Sequence, residues 1–334
     1  MKWALIGAST IAAQYMIRAI RAQDGGEIVR VLSGSAARGA DYAREHGIPR
    51  SGTDLDEALA DPAVEAVYIS TTNEKHLSQA LAAIAAGKHV LCEKPLAMTV
   101  ADAAEMVATA DKAGVVFATN HHLRSAGSHR AVRDLIAGGR IGKVLSLRIF
   151  HAVRLPENLQ GWRINSVEAG GGVIPDITVH DADVTRFLLG EDPETVVAQM
   201  TASGMGQGVE DSAMSVWAMP SGAMVMSHES FTHPFAGSGF EVHGTEGSIF
   251  ARGVMTQRPV GEIELVTKAG RETVPFPAHD LYVQGVSEFV AAVRGNGKPA
   301  ATGWDGVKSL AVAFAVREAA ATGKRLAVNY GAAK

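Results

Sequence analysis

Between Lys2 and Asn120, short β-branched runs alternate strictly with Ala-rich segments of helical spacing, and this alternation limits the fold more than any other feature of the chain. The strand candidates are residues 3–6, 28–33, 66–71, 89–92 and 115–119, with helical spacing near 10–22, 36–45, 76–86 and 100–113. Apolar runs without polar interruption suit strands buried on both faces, as in parallel sheets. Parallel neighbours need a crossover, which packs back right-handed. Gly47, Gly87 and Gly114 follow three of the helical segments, where a left-handed cap is usually glycine. Residues 1–121 are therefore expected to form a doubly wound, Rossmann-type parallel sheet of the α/β class.

After Asn120 the pattern changes. A helical stretch at 128–137 ends at Gly138-Gly139, and from Val144 longer alternating strands dominate, separated by turns such as Pro220-Ser221-Gly222 and Gly244-Thr245-Glu246-Gly247. Strands joined by short turns are antiparallel neighbours. Helical spacing interrupts them near 174–189 and follows them at 283–293 and 305–322. Residues 122–334 thus read as a second, α+β domain on an open, predominantly antiparallel sheet. A length of 334 residues suits two domains, each burying its own core.

A net charge of −4, with no basic block, argues against nucleic acid or an anionic membrane as partner. Cys92 is the only cysteine, so an intramolecular disulfide is impossible, and a reducing, cytoplasmic setting is expected. The apolar run after Lys2 has some likeness to a secretory leader, but Gly7, Ser9 and Thr10 interrupt it and amphipathic spacing continues to Arg21. Strand, turn and helix explain it better.

The turn "IGASTIAAQ" compares with G-x-G-x-x-G through Gly7, Ser9 and Ala12, keeping only the first glycine. Ser and Ala are the smallest replacements, and the Ser9 hydroxyl could bond a phosphate oxygen. Thr10, Ile11 and Ala12 open a helix whose N-terminal amides suit an anion. An NAD enzyme usually places an acid about twenty residues further on. Here stand Ser33, Gly34 and, further along, Arg38. A hydroxyl removes repulsion toward a 2′-phosphate and a guanidinium can pair with it, so NADPH/NADP+ is the expected cofactor.

"CEKPLA" (92–97), "STTNEKH" (70–76) and "GGGVIPDITVHDADVTRFLLG" (170–190) together resemble the glucose-fructose oxidoreductase, inositol dehydrogenase and rhizopine catabolism protein family. The resemblance implies that Lys94 reaches both the nicotinamide ribose and the substrate, that Glu93 belongs to the cofactor site, and that the Lys94-Pro95 peptide is cis. It also implies that Thr71, Thr72, Asn73, His76, Asn120, Trp162, Arg163 and Tyr282 border the cofactor. Two positions depart from the family pattern: Thr72 where proline is usual, and His121 where an aromatic follows the Asn.

Asp176, His180, Asp183 and Phe187 are spaced for one helix face. Asp and His at i, i+4 could share a metal, but the resemblance implies none and places Asp176 and His180 at the nicotinamide instead. Hydride delivered to a ketone leaves an alkoxide that needs charge and then a proton. His180 is the better donor by its ordinary pKa and Lys94 the better polariser, with Asp176 on a substrate hydroxyl. Some relatives use the Lys as acid, and the residues alone leave both roles open. The combination of Ser9, Ala12, Ser33 and Arg38 resembles members that reduce a cyclic sugar ketone, 1,5-anhydro-D-fructose, to 1,5-anhydro-D-mannitol. A polyol or inositol dehydrogenase working oxidatively, and a noncatalytic NADP-binding sensor, are the alternatives. The expected partner is a small sugar; the open face of the second sheet could pair two copies, or the chain could act as a monomer.

Overall fold

The computed structural model describes residues 1–333. The chain divides into two compact units, one formed by Met1–His122 with Tyr282–Val307, the other by Leu123–Leu281 with the chain from Lys308 onward.

In the first unit six parallel strands lie in the order β3-β2-β1-β4-β5-β6, namely β1 (Lys2–Ile6), β2 (Glu27–Leu32), β3 (Ser51–Gly52), β4 (Ala66–Ile69), β5 (His89–Cys92) and β6 (Phe117–Thr119). β4 is buried along its whole length, as its unbroken apolar run requires. Crossover helices are α1 (Ile17–Arg21, continuous with a wide π turn at Ala12–Met16), α2 (Ala36–His46), α3 (Leu55–Ala60), α4 (His76–Ala85) and α5 (Val100–Ala113). Ser35, Asp54 and Thr99 cap α2, α3 and α5 by accepting an N–H three residues on. Gly47 and Gly114 form left-handed C-caps, as their spacing predicts. Strand order reverses between β1 and β4, and in open α/β sheets ligands bind beyond the carboxyl ends of strands at that place. The ends of β1, β2, β4, β5 and β6 carry Gly7, Ser33, Ser70, Glu93 and Asn120.

The second unit begins with α6 (Gly127–Ala137). Its nine-stranded sheet comprises β7 (Val144–Ala152), β8 (Thr195–Thr201), β9 (Ser212–Ala218), β10 (Met224–Ser230), β11 (Ser238–Gly244), β12 (Gly247–Arg252), β13 (Glu262–Thr267), β14 (Gly270–Thr273) and β15 (Leu326–Ala327). All neighbours are antiparallel except β7 and β10, which run parallel at its centre. One face is buried through Leu147, Ile149, Val225, Phe240, Val242 and Trp217, while Val197, Val216 and Met226, aligned by register, are exposed on the other. Between β7 and β8 lie α7 (Trp162–Asn165) and α8 (Val179–Leu189), the latter preceded by a π turn at Ile174–Thr178. Two helices lie between β14 and β15 in the chain: α9 (Leu281–Val293), which from Tyr282 belongs to the first unit, and α10 (Gly303–Thr322), which belongs to the first unit as far as Val307 and to the second from Lys308. Among the described residues no helix is long and apolar enough to cross a membrane.

Candidate active site

Gly7 ends β1 with φ +118°, and a Cβ there would lie 3.0 Å from the carbonyl carbon and oxygen of Ser70. Both the backbone conformation and the approach of the neighbouring strand end therefore demand glycine. Ser9 does more than replace a glycine. Its hydroxyl accepts the Ala12 N–H at 3.2 Å, capping the helix, and hydrogen-bonds the Ser70 hydroxyl at 2.7 Å. Ala12 is fully buried, so a larger side chain has no room, whereas Thr10 is exposed and Ile11 half-buried.

The guanidinium of Arg38 donates to the Ala8 carbonyl at 2.6 Å, and Tyr42, one turn later on α2, donates its hydroxyl to the Ser9 carbonyl at 3.0 Å. Burial, aided by Glu45, pushes the Tyr42 phenol up to about 12, so it stays a donor. Tyr42 thus clamps the turn, a role only its i+4 relation to Arg38 could have signalled. Ser33 is buried and accepts the Ser35 N–H, while Gly34 beside it has open space. A tight glycine turn, a helix N-terminus and a β2 end carrying hydroxyls with no carboxylate fit a dinucleotide phosphate.

At the ends of β5 and β6 a second cluster assembles. The Glu93 N–H donates to the Ile69 carbonyl and the Asn120 N–H to that of Cys92, extending the sheet ladder by one residue on each strand. The Glu93 carboxylate then accepts from the Tyr68 hydroxyl at 2.5 Å and from the Asn120 amide at 2.6 Å. Burial raises its pKa against these two hydrogen bonds and the nearby Lys94 ammonium. Burial likewise raises the Tyr68 phenol well above its ordinary value, with Glu93 adding to the effect. Glu93 is thereby fixed, and the half-buried Lys94 follows it at the sheet end, joined to Pro95 by a cis peptide.

His76 is wholly buried, with its ring nitrogens 3.0 Å from the Pro95 carbonyl and 3.2 Å from the Thr71 carbonyl. Burial lowers its pKa against the pull of those carbonyls. It ties the "STTNEKH" loop to the "EKP" loop and lies behind the site surface. Thr71 donates to Gln79, Thr72 to Glu74, and Asn73 is buried at the start of a short 3-10 turn. Tyr282 is 2% exposed and stacked with Tyr15 at 4.6 Å and with His122 at 5.2 Å, so protein rings pack against it.

In the second unit the glycine run positions α8. Gly172 has φ +114° and a Cβ there would fall 2.4 Å from the Glu210 carboxylate, while its N–H donates to the Arg163 carbonyl. The Arg163 guanidinium lies 3.5 Å from the Asp176 carboxylate and over the Trp162 ring at 4.7 Å, which draws the Trp-Arg pair to Asp176. The single stripe expected of Asp176, His180, Asp183 and Phe187 does not form as spaced. The π turn holding Asp176 inserts extra residue length into the helix and breaks the 3.6-residue phase. Asp183 instead takes both arms of Arg124 at 2.8 Å and a Ser309 hydroxyl at 3.1 Å, a buried structural pair. Phe187 lies under Arg133 and Arg124. His180 is 6% exposed, its ring 6.4 Å from that of His151.

Residues 1–121 match the oxidoreductase family described as NAD-binding Rossmann fold, and residues 129–250 match the GFO/IDH/MocA C-terminal domain. The chain is 56% identical over 331 residues, 99% of each protein, to 1,5-anhydro-D-fructose reductase of Ensifer adhaerens. It is 29% identical to inositol 2-dehydrogenase of Rhizobium meliloti (strain 1021), covering 98% of this chain and 99% of that one. The structure of aldose-aldose oxidoreductase from Caulobacter crescentus, complexed with glycerol, shares the fold at TM-score 0.89 and 24% identity, over 98% of this chain and 99% of that one. With a glycine turn, an anchored Glu-Lys-Pro and the Asp176–His180 helix in place, the chain belongs to the GFO/IDH/MocA family of oxidoreductases.

Proposed function

We propose that this protein reduces a cyclic sugar ketone with NADPH, converting 1,5-anhydro-D-fructose to 1,5-anhydro-D-mannitol. The observation that carries this reading is the 56% identity, over 99% of both chains, to a 1,5-anhydro-D-fructose reductase. Gly7, Ser9, Thr10, Ile11 and Ala12 would hold the pyrophosphate at the helix N-terminus. Ser33, Gly34 and Arg38 would take the 2′-phosphate: Arg38 is exposed on α2, and its guanidinium keeps donors beyond the one given to Ala8. Thr71, Thr72, Asn73, Glu93, Asn120, Trp162 and Arg163 would border the ribose and nicotinamide, with His76 and Tyr282 supporting them from the interior.

When bound, the reduced dinucleotide supplies the hydride. Lys94 donates from Nζ to the ketone oxygen and stabilises the charge that develops there. His180 gives the proton that converts the alkoxide to a hydroxyl. Asp176, held by Arg163, accepts from a substrate hydroxyl and orients the sugar. An oxidative NAD-linked inositol or polyol dehydrogenase would be expected to carry an acid where Ser33 stands.

Initial rates with NADPH and NADH test the cofactor: a preference for NADPH of about tenfold or more, lost in Arg38→Ala, is expected, and equal rates refute it. His180→Ala should lower turnover by about two to four orders of magnitude. Near-normal turnover would move the acid role to Lys94.

A further inference from the structure

The loop between β8 and β9 carries no residue of the reaction above, yet it holds a segment that does. Asp211, wholly buried, anchors it: its carboxylate accepts the N–H groups of Ser203, Gly204, Met205 and Gly206 at 2.7–3.1 Å. On this anchored loop Gln207 donates its N–H to the Ile164 carbonyl of α7 at 2.7 Å. Glu210 reaches the start of the π turn at Ile174–Thr178 twice. Its backbone carbonyl accepts the Val173 N–H at 3.0 Å, and its side-chain Oε1 accepts the Ile174 N–H at 3.2 Å.

A helix start leaves its first N–H groups without partners inside the helix. Here Pro175 has no N–H to satisfy, and the Asp176 N–H goes to the Gly172 carbonyl at 3.3 Å. Glu210 thus takes the two donors that need an acceptor from elsewhere in the chain. Gly172 leaves the room, since a Cβ there would lie 2.4 Å from the Glu210 carboxylate. The cap does not depend on charge. Burial raises the Glu210 pKa, with Asp211 adding to it, while its own N–H, that of Ile174 and the Arg317 guanidinium oppose the rise. A carboxyl keeps an acceptor oxygen in either protonation state.

We propose that Glu210 is a positioning residue for the reduction: by capping the π turn it fixes Asp176 where the Arg163 guanidinium meets it, and so sets the orientation of the sugar. This rests on Asp176 accepting from a substrate hydroxyl. The guanidinium lies 3.5 Å from the Asp176 carboxylate, and the Arg163 carbonyl accepts the Gly172 N–H at 2.8 Å. The loop therefore grips both sides of that pair, α7 through Gln207 and the π turn through Glu210. A turn released at Ile174 lets Asp176 shift, and a misplacement of about 1 Å can cost about a hundredfold in rate.

A double-mutant cycle tests this, with NADPH saturating and 1,5-anhydro-D-fructose varied. Glu210→Ala should lower kcat/KM by about ten- to a hundredfold in the parent. In an Asp176→Ala background, where the group it positions is gone, the further loss should be under about threefold. Glu210→Gln keeps a carbonyl oxygen for the Ile174 N–H and should stay within about threefold of the parent. A Glu210→Ala loss of the same factor in both backgrounds marks a merely structural defect and overturns the proposal. So does a Glu210→Ala protein as fast as the parent, or a Glu210→Gln protein as slow as Glu210→Ala. If Glu210→Ala does not fold, Glu210→Asp, which draws the oxygen back by one methylene, goes through the same cycle with the same expectations.

Amide hydrogen exchange of the free protein, followed by mass spectrometry, reads the cap without turnover. The segment 173–178 should exchange about tenfold or more faster in Glu210→Ala and at the parent rate in Glu210→Gln. Unchanged exchange in Glu210→Ala refutes the cap itself. Near-normal kcat/KM in Asp176→Ala would instead refute the substrate role of Asp176 while faster exchange in Glu210→Ala left the cap standing, so the two failures are distinguishable.

Discussion

Gly7→Ala is the sharpest test of the turn that ends β1. The new Cβ must accept φ +118°, a conformation that costs an L-residue about 1–3 kcal/mol. It must also sit 3.0 Å from the carbonyl carbon and oxygen of Ser70 and 3.2 Å from the Thr71 nitrogen, all backbone atoms that cannot rotate aside. Forcing atoms into such a contact costs about a further 1–3 kcal/mol. The sum is about 2–6 kcal/mol, to be relieved only by parting the ends of β1 and β4. Gly34→Ala is the control, since nothing lies within 4 Å of a Cβ there and Gly34 has no positive φ. Thermal melting should fall by roughly 5–15 °C in Gly7→Ala and stay within about 2 °C of the parent in Gly34→Ala. Titration of protein fluorescence with coenzyme should show weakened binding in Gly7→Ala. A Gly7→Ala protein that melts and binds like the parent would refute the claim that strand proximity fixes this glycine.

Tyr42→Phe removes the hydrogen bond to the Ser9 carbonyl and should cost about 0.5–1.5 kcal/mol in urea unfolding, with weaker coenzyme binding. Asp211 supplies the pH test. Burial pushes its carboxyl up, but the N–H groups of Gly206, Met205, Ser203 and Gly204 outweigh this and hold it at about 2, below the ordinary 3.8. A depressed folded-state pKa gives stability that is present above about pH 4 and lost as pH falls toward 2. The stability advantage of the parent over Asp211→Asn, on the order of 1–2 kcal/mol at pH 6, should therefore shrink to about a third by pH 2.5 and vanish by about pH 1. An advantage that is undiminished at pH 2.5 would show that the charge is not its source.

Local periodicity revealed what it could reveal. Buried strand runs such as residues 66–69 and 89–92, and glycine caps such as Gly47 and Gly114, are written in a few consecutive residues, and the parallel sheet follows from their alternation. The short β3 and α3 offer too few residues for a period to emerge. Both π turns lie where a 3.6-residue stripe was extrapolated, and the second one separates Asp176 from Asp183, whose Arg124 partner is distant in sequence. The packing of residues 282–307 with the first unit depends on long-range contacts such as Phe289 on Trp3 and Trp304 on Asp111. No local signal marks such contacts. Motifs named Glu93 and Lys94, but not Tyr68 and Asn120 as the pair that fixes the Glu93 carboxylate. Ser9 was legible as a small residue, and its capping of Ala12 and bond to Ser70 required coordinates.

The most direct test of the central claim is the rate of NADPH oxidation by the purified protein with 1,5-anhydro-D-fructose, the product being identified by NMR. Turnover to 1,5-anhydro-D-mannitol, with NADPH favoured over NADH, is the expected result. Failure to consume NADPH with this ketone, together with faster NAD+-linked oxidation of inositol or another polyol, would contradict it.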